Sequence, residues 1–323
     1  MIQQKKYFED LEDVLHIVQS YSKFSDDGVS VLGSALAKCT NLLNLRLDLC
    51  ENQIGDQGAS ALGTALANCA NLSNFTLDLG KNQIGYKGVS SLVSALANCT
   101  NLSNLKLHFI CNEIGTISGS GLGSGLGKFT NLTNLTLDLR YNKIGIIGAL
   151  DLSSSLTNLI NLSNLTLDLF ENQIGEQGVS DLGSALANCN NLSNFNIDLG
   201  LNQIGDEGAS GLGSALAKCT NLLNLELFLS FNQIGAIGAS GLGSALAKCT
   251  NLLNLELFLS FNQIGAIGAS SLGFSLKNCT KLSNLTLHLI NNQIEQLEQL
   301  KIKRKCLKSK RLVTFEIHFY KWW

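Results

Sequence analysis

The stretch LLNLELFLSFNQIGAIGAS occupies residues 222–240 and recurs without one change at 252–270. The copy extends further, because residues 211–240 and 241–270 are identical throughout. Leucine stands at 42, 72, 102, 132, 162, 192, 222, 252, 282 and 312, and asparagine at 52, 82, 112, 142, 172, 202, 232, 262 and 292. A frame of thirty residues that never slips is the mark of a repeat architecture, in which each segment supplies the next with its missing core.

One repeat reads approximately N-L-x-N-L-x-L-x-L-x-x-N-x-I-G-x-x-G-x-x-x-L-G-x-x-L-x-x-C-T. Leu45, Leu47 and Leu49 alternate as in a strand, and Asn52, Gly55 and Gly58 mark the exit from it. Ala59, Leu62, Ala65 and Leu66 then follow at the three-to-four-residue spacing of a short helix with one apolar face. Neither element can bury its apolar side alone, so the repeats must stack.

The phrase LDLCENQIGDQGASALGTAL, residues 47–66, resembles the leucine-rich-repeat family, in the variety found in ribonuclease inhibitor and the Ran GTPase-activating proteins. The resemblance covers roughly residues 24–323 and implies an α/β solenoid, a curved horseshoe with a parallel sheet on the concave side and helices on the convex side. Residues 1–23 are expected to cap it, with Phe8, Leu11, Val14, Leu15 and Val18 forming one side of an amphipathic helix over 7–19. Full repeats then run from about 42 to 311, with a truncated tenth at 312–323. There Leu312, Phe315, Ile317 and Phe319 keep the strand register and the aromatic YKWW end is expected to seal the edge. Segment 115–129, GTISGSGLGSGLGKF, carries Gly121, Gly123, Gly125 and Gly127 at alternate positions, and predicts an irregular helix.

The asparagine column has a structural reading: its amides bond the backbone of the adjoining turn, repeat after repeat. Cysteine follows the same logic. Cys39, Cys69, Cys99, Cys189, Cys219, Cys249 and Cys279 share a column with Phe129 and Leu159, which is the composition of a core position. With no CxxC spacing and four histidines, neither a zinc cluster nor a disulfide framework is indicated. No metal or cofactor is expected.

If Leu45, Leu47 and Leu49 point inward, the residues between them point outward. The central outward column reads Asp48, Asp78, His108, Asp138, Asp168, Asp198, Phe228, Phe258, His288, His318. Phe231 and Phe261 lie just beyond it, and Glu226 and Glu256 beside it. Repelling aspartates contribute little to folding, whereas an aromatic cluster rimmed by acids suits a protein partner that is basic, or mixed basic and apolar. The expected binding residues are therefore Asp48, Asp78, His108, Asp138, Asp168, Asp198, Phe228, Phe231, Phe258 and Phe261.

Catalysis finds no support: no nucleophile accompanies His108 in a recognisable motif, and no phosphate-binding or kinase signature appears. The expectation is a non-catalytic protein-interaction scaffold. The alternative that the resemblance implies is an activator of a small GTPase, although no family catalytic residue falls on a matching position. A formal net charge of −2 and the acidic column argue against nucleic acid and membrane partners. The absence of a signal-like start and of disulfide patterning points to the cytoplasm. Segment 301–311, KIKRKCLKSKR, with seven Lys or Arg, adds a nuclear-targeting or polyanion-binding reading. Oligomeric state is not legible.

Overall fold

The computed structural model describes residues 14–116, 122–306 and 311–319. The chain divides into two compact bodies, Met1–Leu162 and Ser163–Trp323. The N-terminal body contains strands β1 (Val14–Val18), β2 (Asn44–Asp48), β3 (Asn74–Asp78), β4 (Asn104–His108) and β5 (Asn134–Asp138). Helices α1 (Asp26–Leu36), α2 (Asp56–Leu66), α3 (Tyr86–Leu96), α4 (Leu122–Leu126) and α5 (Gly145–Leu156) alternate with them. The C-terminal body contains β6 (Asn164–Asp168), β7 (Asn194–Asp198), β8 (Asn224–Phe228), β9 (Asn254–Phe258), β10 (Asn284–His288) and β11 (Thr314–His318). Its helices are α6 (Gly175–Leu186), α7 (Asp206–Leu216), α8 (Ala236–Leu246), α9 (Gly265–Leu276) and α10 (Gln296–Cys306).

Within each body successive strands pair in parallel, thirty residues out of step: Leu45 opposes Phe75, and Leu225 opposes Leu255. Leu47, Leu77, Leu107 and Leu137 in one body, and Leu167, Ile197, Leu227, Leu257 and Leu287 in the other, are fully buried against the helices, while the intervening side chains face out of the sheet. The architecture is the α/β leucine-rich-repeat solenoid expected from the alternation of a period-two and a period-3.6 segment in every repeat.

Asparagine holds the turns. In Asn82 the side-chain amide donates to the carbonyls of Leu49 and Leu79, each at 3.0 Å, while its oxygen accepts the N–H of Ile54 at 3.0 Å. Asn232 repeats the pattern on Leu199, Leu229 and Ile204. A second line, not anticipated, runs along the strand starts: the Asn74 amide donates to Asn44 Oδ1 at 2.6 Å, and Asn104 to Asn74. In the C-terminal body Asn194, Asn224, Asn254 and Asn284 each donate to the residue thirty positions earlier.

Two sequence-based expectations change, and a third acquires a packing reason. Residues 14–18 are not helical; they form β1, with Leu15 opposite Leu45 and Ile17 opposite Leu47, and residues 7–13 lie outside the described part. Leu15 and Ile17 stand thirty residues before Leu45 and Leu47, so the repeat frame prevails over a helical spacing that fits the same apolar residues. The partial repeat that precedes β2 therefore begins with a strand of its own.

The glycines of the fourth repeat also have a different cause. Helix α4 is five residues long, residues 117–121 lying outside the described part. A Cβ on Gly123 would stand 2.2 Å from the Asp151 carbonyl oxygen, and one on Gly125 would stand 2.9 Å from Val93 Cγ1. In other repeats a glycine in the Val93 position faces an alanine in the Gly125 position, as Gly33 faces Ala65 and Gly213 faces Ala245. Here the small and large partners have changed places, so Gly125 answers a size requirement of the helix–helix contact.

The aspartates of the outward column take part in folding. Asp78 Oδ1 accepts the Gly80 N–H at 2.9 Å and Asp198 Oδ1 the Gly200 N–H at 2.8 Å; Asp48, Asp138 and Asp168 make the same bond at 3.2 Å. Each closes an Asx turn where its strand ends. Strand β11, in the truncated last repeat, keeps its register, Phe315 opposing Leu285 and Ile317 opposing Leu287, while residues 320–323 of the aromatic end are outside the described part.

Candidate functional site: the outer face of the sheet

The outward columns differ between the two bodies. In the N-terminal body Val18, Asp48, Asp78, His108 and Asp138 lie side by side, among Arg46, Lys106, Arg140 and Lys81. Asp138 is the centre of this group. Arg140 grips both of its oxygens, Nε at 3.0 Å and Nη2 at 2.6 Å, and His108 Nδ1 stands 3.8 Å away. Burial pushes the Asp138 carboxyl up, but the His108 imidazole and the side-chain and backbone hydrogen bonds of Arg140 outweigh it and hold the group well below the usual carboxylate range. Asp138 is thus occupied by its own neighbours, Arg140 and His108.

In the C-terminal body the central column is a stack of rings. Phe228 and Phe258 lie parallel with centroids 4.1 Å apart; Phe258 and His288 follow at 4.3 Å, then His288 and His318 at 4.4 Å. Phe231 and Phe261 form a second stack at 4.2 Å. The strand spacing of about 4.8 Å explains the geometry: aromatic side chains repeated at one column meet face to face with little adjustment. Phe231 and Phe261 project from a left-handed backbone, φ 59° and 57°, a conformation shared by Glu51, Lys81, Glu171 and Leu201 at the same step of their repeats. Side chains other than glycine rarely adopt it, and here the asparagine-braced turn imposes it on every repeat.

Beside the rings runs a line of acids. Glu226 opposes Glu256, and Glu316 lies two strands further on, with Thr286 between. The Asn196 amide donates to Glu226, and His318 Nε2 approaches Glu316 at 3.3 Å. Burial and the charges of Glu226 and Glu316 raise the Glu256 carboxyl. His288 moves the other way, lowered by burial and by His318, against the opposing pull of Glu316. Asn164, Thr166, Asn194, Asn196 and Asn224 line a shallow groove that ends at Glu226.

The sequence had singled out Phe228, Phe231, Phe258 and Phe261, and the structure brings them together in two stacks. Asp168 and Asp198 stand in the same column, each tied to its turn. His288 and His318 were not counted as binding residues, yet they continue the Phe228–Phe258 stack; their place in the thirty-residue column was the available signal. The cysteine column is core: Cys69, Cys99, Cys189, Cys219, Cys249 and Cys279 are buried as free thiols. Burial pushes Cys99 and Cys249 up to about 12. Among the described residues no group of three or more His, Cys, Asp or Glu side chains is placed to hold a metal ion. No described helix is long and apolar enough to cross a membrane.

The repeat geometry is that of a leucine-rich-repeat solenoid, and segments of the chain match a family model for that repeat. The family model described as Leucine Rich repeat matches at residues 39–63, 73–93, 131–153, 161–183, 197–213 and 248–273. No curated protein sequence matches the chain. Among solved structures, the internalin InlC2 of Listeria monocytogenes str. 4b F2365 is similar at 25% identity and a TM-score of 0.48, over 79% of this chain and 84% of that one. The internalin InlF of the same strain is similar at 22% identity and a TM-score of 0.42, over 98% of this chain and 89% of that one. The actin-binding site 2 of leiomodin-1 is similar at 17% identity and a TM-score of 0.35, over 50% of this chain and 87% of that one.

Proposed function

We propose that the chain is a non-catalytic interaction scaffold whose C-terminal sheet face receives a protein segment bearing basic and apolar side chains. The observation that carries this reading is the paired ring stack of Phe228, Phe258, His288 and His318 with Phe231 and Phe261, bordered by Glu226, Glu256 and Glu316. Exposed aromatic rings supply anchoring area at small entropic cost, and carboxylates beside them select for cations and orient the partner. Phe231 is 46% exposed, and packing inside this chain does not require a large apolar ring there. The outward positions of strands β6–β11 hold no Lys or Arg, so a cationic partner meets no like charge on them.

Aspartates Asp48, Asp78, Asp168 and Asp198 enter this reading as a background of negative charge, since one oxygen of each is spent on a turn. Asp138 and His108 are assigned to each other and to Arg140. Activation of a small GTPase has no observation specific to it and is not adopted.

Selection of a random peptide library on the full chain tests the proposal. Peptides enriched in Arg or Lys together with aromatic or aliphatic residues are expected, and their enrichment should vanish on the variant carrying Ser at 228, 231, 258 and 261. Enrichment of acidic peptides, or equal selection by the variant, would overturn it.

A further inference from the structure

Helices α7 and α8 are the same sequence apart from their first two residues. Asp206-Glu207 in DEGASGLGSAL becomes Ala236-Ile237 in AIGASGLGSAL, and α9 again carries Ala266-Ile267. The change gives up a useful interaction, because Asp206 Oδ1 accepts the N–H groups of Gly235 and Gly238 at 2.7 Å. What replaces Glu207 is not buried: Ile237 is 74% exposed, Ile267 78%, and Leu297, the next member of the column, 64%. Phe274 and Leu300 stand half exposed on the same outer side of α9 and α10. The core gains nothing from these residues.

Cations flank them. Lys248, Lys277 and Lys281 are exposed at the C-terminal ends of α8 and α9, and the Lys277 ammonium lies 4.6 Å from the Phe274 ring centroid. In α10, Lys301, Lys303 and Arg304 are exposed beside Leu300, with Glu298 taken up by Lys301 at 2.6 Å. Three adjacent helices therefore present a line of aliphatic side chains with basic residues on its border.

We propose that this outer face of α8, α9 and α10 docks onto an anionic lipid surface. Aliphatic side chains enter the headgroup boundary while Lys and Arg remain at the phosphate level, the division of labour that interfacial helices use. A polyanion without an apolar interior, such as RNA, would use the cations and leave Ile237, Ile267 and Leu297 in water, so lipid accounts for both halves of the surface. The overall charge of −2, which argued against a membrane partner, averages over this local separation. The site is separate from the ring stacks, which lie on the other side of the sheet.

Co-sedimentation of the full chain with vesicles tests it. Binding is expected to vesicles of phosphatidylserine and phosphatidylcholine in equal parts, and not to phosphatidylcholine alone. Ile237→Glu with Ile267→Glu copies the acid that α7 already carries at Glu207, so the fold accepts it; binding should fall at least about tenfold. Reversing Lys301, Lys303 and Arg304 to Glu should lower it roughly a hundredfold. The Ser variant at 228, 231, 258 and 261 should bind as the parent does. Failure to bind the anionic vesicles, equal binding to neutral ones, or a double Ile variant that binds undiminished and is displaced equally well by short RNA, would each overturn the proposal.

Discussion

Replacing Asn82 by alanine removes an amide that serves three carbonyls and one backbone N–H, all buried. Urea denaturation should show a loss of about 2–4 kcal/mol, against less than about 1 kcal/mol for Asn196→Ala on the exposed sheet face. The asparagine column and its purpose were legible because one residue type recurred beside a turn. The use of Asp78 or Asp198 to close turns was not, since an outward aspartate looks alike whether it binds a partner or its own backbone. His288 carries a pH prediction. Burial and the stacked His318 lower its folded pKa beneath the ordinary value of about 6.5. The neutral form is favoured by folding, so stability is full above about 6.5 and is lost as pH falls through that value toward the folded pKa. Thermal melts between pH 7.5 and 5 should show this decline, and His288→Phe, which extends the phenylalanine stack, should reduce it; an unchanged decline would remove His288 as its cause.

At the scale of the element, helices pack through matched small residues. A double-mutant cycle on Val93 and Gly125 is the informative measurement. Gly125→Ala alone should destabilise by about 1–3 kcal/mol, because the added methyl meets Val93, and Val93→Gly should restore much of the loss. Additive effects would mean the two positions do not answer each other. Gly211→Ala, whose Cβ would meet nothing nearer than 3.3 Å, should be neutral or stabilising by up to about 1 kcal/mol. Element type and order were legible wherever the repeat was regular. The initial strand was misread because Val14, Leu15 and Val18 also satisfy a helical spacing, and strand pairing decides between the two only once Leu45 and Leu47 are beside it. Helix starts were opaque for a related reason. Asp56 Oδ1 accepts the N–H groups of Gly85 and Gly88, each at 2.8 Å, so the carboxylate that caps α3 belongs to the preceding repeat and no local capping motif reveals it.

Across the molecule, the two bodies carry different outer sheet faces on the same repeat. In the N-terminal body acids are interspersed with Arg46, Lys106 and Arg140; in the C-terminal body rings and carboxylates stand without a Lys or Arg among them. That division was legible as columns of residues thirty apart, whereas the continuity of phenylalanine into histidine along one stack required the pairing of β9, β10 and β11. Duplication of residues 211–240 accounts for having two identical repeats; it does not account for the stacked rings at 231 and 261, the first of them exposed, which a neutral copy would be free to lose. A cationic partner on this face is what we propose. The most direct measurement is carbodiimide crosslinking, which joins a carboxylate to a lysine in contact, applied to the full chain in lysate of its source cell and mapped by mass spectrometry. Crosslinks are expected from Glu226, Glu256 or Glu316 to lysines of one partner, lost in the variant with Ser at 228, 231, 258 and 261. A partner joined through other carboxylates, and retained by that variant, would contradict it.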